Sequence, residues 1–273
     1  MGGGEAFGRH QRRIVLYNGR RRARIHRGFA MPIVLDGYEE HVRKAITHYW
    51  TTLDAQARRQ QGSVADRGRR AAVTGGKQMD GFCLLFEWLL CRNGLTDHSF
   101  HYRSKLELPG FFRPTKKWDM LVVHDGHLIA ALEFKSQRGP SFGNNFNNRT
   151  EEALGNATDL WTAYRDGAYG QHPRPWLGWL MLLEDSEAST TPVAVQEPHF
   201  PVFEEFRGAS YADRYQIQFR RLISEGHFTA AGLLMSTEEH GSAGEYQEPA
   251  PDLSMKSMLA SLAGHTAAYL ASV

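Results

Sequence analysis

Residues 117–135, KWDMLVVHDGHLIAALEFK, decide the reading of this chain. Two apolar runs, 117–124 and 127–135, flank Asp125-Gly126, a pair that favours a two-residue hairpin turn because both positions tolerate positive φ. The segment is expected to be an antiparallel hairpin. Alternation of side chains puts Glu133 and Lys135 on one face of the second strand. Pairing counted from the turn sets Asp119 opposite about Leu132, beside Glu133, and a small bulge or twist would bring the two carboxylates together.

An isolated Glu-x-Lys carries almost no information, since about one arises by chance in a chain of this length. Its setting adds the weight: Ile129, Ala130, Ala131, Leu132 and Phe134 make this strand apolar around the charges. The bland alternative is a cross-strand ion pair on a solvated sheet face. Two carboxylates beside an ammonium also match phosphodiester hydrolysis. Hard oxygen ligands select Mg²⁺, which neutralises the scissile phosphate and acidifies water. Lys135 is placed to orient or deprotonate the attacking water and to offset negative charge growing on phosphorus.

Working outward, Tyr38–Gln60 reads as an amphipathic helix with Tyr38, Val42, Ala45, Ile46, Tyr49 and Leu53 on one stripe. Gln61–Lys77 is a polar, Gly-rich connection carrying Arg67, Arg69, Arg70 and Lys77, suited either to a phosphate backbone or to plain solvation. A strongly apolar helix follows from Met79 to Arg92, stopped by Asn93-Gly94. Glu87 lies within it, a carboxylate costly to bury without a partner, so it sits on a rim or in a site. Ser99–Leu106 reads as a further strand, Arg149–Asp166 as a helix, Trp176–Leu183 as a buried strand and Ala209–Ser224 as a helix. The fold class is α/β, a mixed central sheet flanked by helices with additional N- and C-terminal helices.

Composition sets the outer limits. With 41% hydrophobic and 23% charged residues the chain is globular, neither disordered nor collagen-like. The longest apolar run, Trp176–Leu183, is far too short to span a bilayer, so a soluble, cytoplasmic protein is expected. Cys83 and Cys91 are too far apart on a helix to bridge, which agrees with a reducing compartment. Residues 1–30 hold eight Arg against Glu5 alone. They read as a basic extension: an arm on DNA, a flexible tail, or sequence upstream of a start at Met31. The remainder is acidic on balance, so bulk charge does not advertise nucleic acid. A domain over 31–235, an acidic linker over 236–252 and a last helix over 253–273 complete the expected organisation.

GFFRPTKKWDMLVV (110–123), LEFKSQRGPSFGNNFNNRTEEALGNATDLW (132–161), GWLMLLEDSE (178–187) and HFPVFEEFRGASYADRY (199–215) together resemble the XhoI group of type II restriction endonucleases, on the PD-(D/E)xK nuclease fold. The resemblance covers about 31–235. It implies Mg²⁺-dependent cleavage of both strands of duplex DNA at CTCGAG, after the first C with 5′ overhangs. It further implies a homodimer and, in the host, a companion DNA methyltransferase. Asp119, Glu133 and Lys135 match the nuclease motif, with Asp119, Glu133 and the Phe134 backbone carbonyl as metal ligands. Trp118 stands where the motif's proline would be, a change that touches no chemistry. Glu87 resembles the extra acidic residue that some nucleases of this fold direct at the metal, with Asp80 a weaker candidate.

Base reading needs donors and acceptors for base edges, and Asn144, Asn145, Asn147, Asn148 and Arg149 supply them. Part of this set has structural alternatives: Asn148 with Glu151 as a helix cap, Asn144 or Asn145 in a turn. Arg138, Ser141, Lys77 and Arg70 are further candidates for DNA contact, and Gly139–Gly143 with the following helix start could hold a phosphate through backbone N–H groups. Two other roles fit the same residues: a nuclease directed by DNA structure, and a DNA-binding protein with a degenerate site.

Overall fold

The strands, in chain order, are β1 (Phe100–His101), β2 (Glu107–Pro109), β3 (Thr115–Lys117), β4 (Met120–His124), β5 (His127–Gln137), β6 (Trp176–Glu184) and β7 (Ala230–Ser236). Five form one mixed sheet in the order β1-β4-β5-β6-β7, and β2 and β3 make a separate hairpin. The long helices are α1 (Tyr38–Gln61), α2 (Asp80–Arg92), α3 (Phe142–Arg165), α4 (Tyr211–Ser224) and α5 (Met255–Leu270). The computed structural model describes Met1 and residues 32–61 and 77–273, without the side chains of 59–61. The basic extension and Arg67, Arg69 and Arg70 lie outside the described residues. Pro32–Val273 is one compact unit.

The pairings β1–β4 and β4–β5 are antiparallel, whereas β5–β6 and β6–β7 are parallel. Parallel neighbours need a long crossover, and α3 and α4 supply the two. At the β4–β5 turn Asp125 and Gly126 both take positive φ, as the hairpin reading requires. The ladder beyond the turn is not regular. Val123 pairs with Leu128 but Val122 pairs with Ala130, leaving Ile129 as an extra residue on β5. Ile129 and Ala130 consequently both point into the same core. From the bulge onward Met120 faces Leu132, so continuing the register carries Asp119 opposite Glu133, one residue on from the turn-based count.

The sheet separates two cores. On one face α1, α2 and α5 bury Ile46, Trp50, Phe82, Phe86 and Leu259 against Leu132 and Phe134. On the other, α3 and α4 bury Ala157, Leu160, Tyr215 and Phe219 against Leu177 and Trp179. Each large side chain removed from water in this way contributes roughly 1.5–3 kcal/mol. Because β5 alternates, Leu132 and Phe134 serve the first core while Glu133 and Lys135 emerge on the α3 side.

Three expectations need correction. Only Phe100–His101 of the Ser99–Leu106 segment is strand; the chain then bends, with Lys105 at positive φ. The α3 helix begins at Phe142 rather than Arg149, so the asparagines sit in its first two turns and Asn148 is not a cap. Phe142 and Phe146 pack against Tyr211 and Tyr215, and that packing outweighs the weak helix propensity of Gly and Asn. Residues 236–252 are laid against the body instead of linking it: Met235 and Gln247 exchange both backbone hydrogen bonds, and Ser236 Oγ donates to the Glu245 carbonyl at 2.7 Å. The final helix buries Met255, Met258, Leu259 and Leu262 completely.

Candidate active site

Asp119 sits between β3 and β4, where its N–H donates to the Leu132 carbonyl at 3.2 Å. Its Oδ2 accepts from the Phe134 N–H at 2.7 Å, which fixes it beside β5. Glu133 is only 3% exposed, and both its oxygens are held by ammonium groups. Lys135 Nζ donates to Oε1, and Lys116 Nζ lies 2.8 Å from Oε2. Lys116 in turn lies over the Trp118 ring at 4.9 Å, and Lys135 over Trp179 at 5.7 Å. Burial and the neighbouring Glu133 charge push the Asp119 carboxyl up to about 6. Burial pulls the Lys135 ammonium down, but Glu133 and Asp119 outweigh it and leave Lys135 above the ordinary lysine value.

These groups open into a cleft of about 970 Å³. Six cationic side chains and four carboxylates line it, a balance suited to a polyanion that meets a local cluster of acid. Among the described residues no three His, Cys, Asp or Glu side chains converge as a metal-holding group. Two carboxylates facing each other are nevertheless a hard oxygen donor pair, and Mg²⁺ is bound in just this way, by one or two carboxylates with the remaining ligands from water and phosphate. Burial and, after it, repulsion from Glu133 raise Asp119, and a divalent cation would offset both, so the residues fit such an ion.

Of the two acids on α2, Asp80 lines this cleft, and burial raises its carboxyl above the ordinary range. Glu87 does not line it. Seven residues further along the helix, about 10 Å, Glu87 opens into a neighbouring cavity with Asp97 and His101 and bonds to the Tyr102 hydroxyl, while its Oε2 is buried without a partner. Cys83, also in the cleft lining, and Cys91 are both free.

The α3 helix carries a polar stripe at spacings of four and three: Asn145, Arg149, Glu152, Asn156 and Asp159. Arg149 pairs with Glu152, whose Oε2 lies 3.8 Å from Lys135 Nζ. Asn156 and Asp159 bind Arg113 at 2.6 and 2.7 Å. Asn144, Asn147 and Asn148 are exposed and make no side-chain hydrogen bond among the described residues. Ser141 precedes the helix without capping it. Arg138 is already matched by carboxylates, Glu238 at 2.6 Å and Glu184 at 3.6 Å, and lies over Trp50. The Gly139 N–H is taken by Glu184 at 2.8 Å, which removes it from any phosphate cradle. Lys77 lines the cleft. Lys116, Arg113, Glu152 and Asn156 were not singled out by sequence reading; the signal for the last two was the polar stripe opposite Ala153, Ala157 and Leu160.

A carboxylate pair, Glu133 buried and Asp119 half-buried, with two lysines, on a mixed sheet and beside a cationic cleft, has the groups of a phosphodiester-cleaving site. Residues 57–248 match the family model for restriction endonuclease XhoI. The type II restriction enzyme BstVI of Geobacillus stearothermophilus is 52% identical over 212 residues, 76% of this chain and 95% of that protein. AbrI of Azospirillum brasilense is 52% identical over 172 residues, 62% and 77% of the two chains, and XhoI of Xanthomonas vasicola 46% over 202 residues, 72% and 79%. No solved structure matches. The chain belongs to the XhoI family of type II restriction endonucleases, site-specific deoxyribonucleases that act on double-stranded DNA. No helix among the described residues is long and apolar enough to cross a membrane.

Proposed function

We propose that this enzyme cuts both strands of duplex DNA at CTCGAG, after the first C, leaving 5′ overhangs, and that it does so with Mg²⁺ as a PD-(D/E)xK nuclease. The observation that carries the reading is the opposition of Asp119 to Glu133 across the bulged hairpin, with Lys135 on Glu133. Asp119, Glu133 and the Phe134 carbonyl are the metal ligands, with Asp80 rather than Glu87 as the additional acid in reach. A bound Mg²⁺ supplies charge neutralisation at the scissile phosphate and lowers the pKa of water.

The chain's own groups do the rest. Lys135, held protonated by its acidic neighbours, donates to the phosphate oxygens and orients the attacking water, so that negative charge developing on phosphorus meets a fixed cation. Lys116 anchors the far oxygen of Glu133 and stops it from rotating away. The exposed Asn144, Asn147 and Asn148, together with Asn145, Ser141 and Arg149, face base edges and sugar-phosphate. Lys77 and Arg70 supply charge to the backbone, and Arg138 does so only by exchanging Glu238 for phosphate. Relatedness to an enzyme named XhoI supports the hexanucleotide. A palindromic target suits a homodimer whose two-fold axis coincides with that of the site. The setting is cytoplasmic, within a restriction–modification system whose methyltransferase protects the host sites.

Digestion of plasmids with and without CTCGAG, in Mg²⁺ or EDTA, followed by sequencing of the ends, tests the reading. Mg²⁺-dependent cuts at that hexanucleotide, absent with Lys135→Ala, are expected. Fragments ending at another sequence would overturn the specificity and leave the chemistry standing.

A further inference from the structure

The β2–β3 hairpin ends in Gly110-Phe111-Phe112-Arg113-Pro114, and Phe111 and Phe112 are 57% and 70% exposed. Their rings meet edge to face with centroids 5.4 Å apart. Two adjacent solvent-facing phenylalanines at a loop tip have no role in the folding core, yet the backbone beneath them is tightly fixed. The carboxylate of Asp159 on α3, 4% exposed, accepts from the N–H of Phe111 at 2.7 Å, the N–H of Phe112 at 2.8 Å and Arg113 Nε at 2.7 Å. Arg113 Nη2 donates to Asn156, and the Tyr169 hydroxyl to the Pro109 carbonyl. A Cβ at Gly110 would collide with the Asp159 carboxylate, so only glycine permits this approach. A buried charge has been committed to presenting two rings.

Their surroundings indicate what they meet. Arg113, Lys116 and Lys117, from the same hairpin, line the catalytic cleft. Aromatic rings interleaved with cations form a stacking platform for nucleobases with flanking phosphate contacts. Among the described residues a second exposed pair, Phe200 and Phe203, stands among Glu197, Glu204 and Glu205, where three carboxylates outnumber the one cation, Arg207; that surface repels phosphate. The α3 helix also sets the distance. Asp159 lies seven residues from Glu152, the neighbour of Lys135, which is about 10 Å along the helix axis.

We propose that Phe111 and Phe112 are a base-stacking site: they take the face of a nucleobase in the bound duplex and unstack one step beside the cutting cleft, with the exposed Lys117 on the adjoining backbone. The inference rests on the cleft being the cutting centre. Its test uses full-length protein and whatever site the plasmid digest maps, so a change of recognition sequence does not affect it. Asp119→Asn, which removes a negative charge beside the phosphate, serves as the non-cutting background; cutting by this variant would relocate the catalytic centre, a separate failure. Duplexes carry 2-aminopurine at successive positions within and beside the site.

Binding is expected to raise 2-aminopurine fluorescence at one step. Phe111→Ala and Phe112→Ala should abolish that rise and weaken binding by about 5- to 150-fold, the equivalent of one stacked base. Phe112→Trp should restore both, and the thermal midpoint should not move because the rings are exposed. Binding with no fluorescence change at any position, or alanine variants that bind as tightly as their parent, overturns the proposal. So does conversion of a dimer to monomers by these variants in sedimentation with the fluorescence rise intact, which would make the rings a subunit contact.

Discussion

The Oε2 atom of Glu152 lies 3.8 Å from Nζ of Lys135, linking the helix that bears the asparagines to the strand that bears the acid pair. The same carboxylate holds Arg149. Exchange of Glu152 for Gln keeps an acceptor but releases both cations from an anion. Cleavage is expected to fall by about tenfold in kcat, with DNA binding tightened because a negative charge has left the cleft. Single-turnover rates and equilibrium binding, measured separately, check the two halves of this expectation; a slower rate accompanied by weaker binding would refute it. Lys135→Ala should be far more severe, about 10²–10³-fold in rate, comparable to loss of one preorganised donor.

The two acids on α2 make a discriminating pair. Asp80 borders the cleft and Glu87 opens into the neighbouring cavity. Asp80→Asn should therefore lower cleavage and raise the Mg²⁺ concentration needed for half-maximal rate, whereas Glu87→Gln should leave both within about twofold. The reverse pattern would return Glu87 to the metal.

Asp119 gives the metal-free protein a pH signature. Its carboxyl is raised to about 6, chiefly by burial and then by Glu133. A raised carboxyl favours the folded state at low pH: this contribution is complete below the unfolded-state value near 4 and is lost as pH rises through 6. At pH 8 the ionised Asp119 should thus cost the fold roughly 2–3 kcal/mol. Asp119→Asn is expected to raise the denaturation midpoint in EDTA at pH 8 but not at pH 4, while abolishing cleavage. An equal effect at both pH values would show that the carboxyl is not strained.

Lys116 is one of two counterions for a nearly inaccessible Glu133. Lys116→Ala should cost about 2–4 kcal/mol in urea unfolding, since removing one partner leaves buried charge uncompensated. Lys116→Met should cost similar stability while keeping the packing over Trp118. A loss under about 0.5 kcal/mol in both variants would show that Lys135 alone suffices.

Asp159 is expected to matter for stability as well as position. Asp159→Ala removes acceptors for two backbone N–H groups and Arg113, at an expected cost of about 2–4 kcal/mol. Hydrogen exchange should localise the loss to 110–114.

Much of the frame was legible in the sequence. Asp125-Gly126 announced the hairpin, and strand alternation put Glu133 and Lys135 on one face. Apolar periodicity found α1, α2, α4 and the buried strand β6 within a few residues, but not the parallel strand β7, Ala230–Ser236. What escaped notice depended on partners distant in sequence. The start of α3 follows from Phe142 and Phe146 packing on α4, not from local propensity. Lys116 joins Glu133 from a different hairpin. The distinction between Asp80 and Glu87 depends on where β1 ends and the chain bends over Tyr102. The 236–252 segment reads as a linker because its partners, such as Trp50 for Ser236, Asp185 for Gln247 and Met255 for Glu248, are distant or reached through single side chains, which composition does not reveal.

The extra residue at Ile129 has one more consequence. Two pairs beside the turn tie the first end of β5 to β4; beyond the bulge three more pairs hold it to β4 and eight, from Ala130 with Trp176 to Gln137 with Leu183, hold it to β6. The bulge works as a slip joint between these two registrations. The phase of Glu133 and Lys135 is set by the pairings beyond the bulge, chiefly those to the deeply buried parallel neighbour, rather than by the turn. An insertion or deletion at the hairpin tip is therefore expected to be absorbed at the bulge and to leave the cutting apparatus in step.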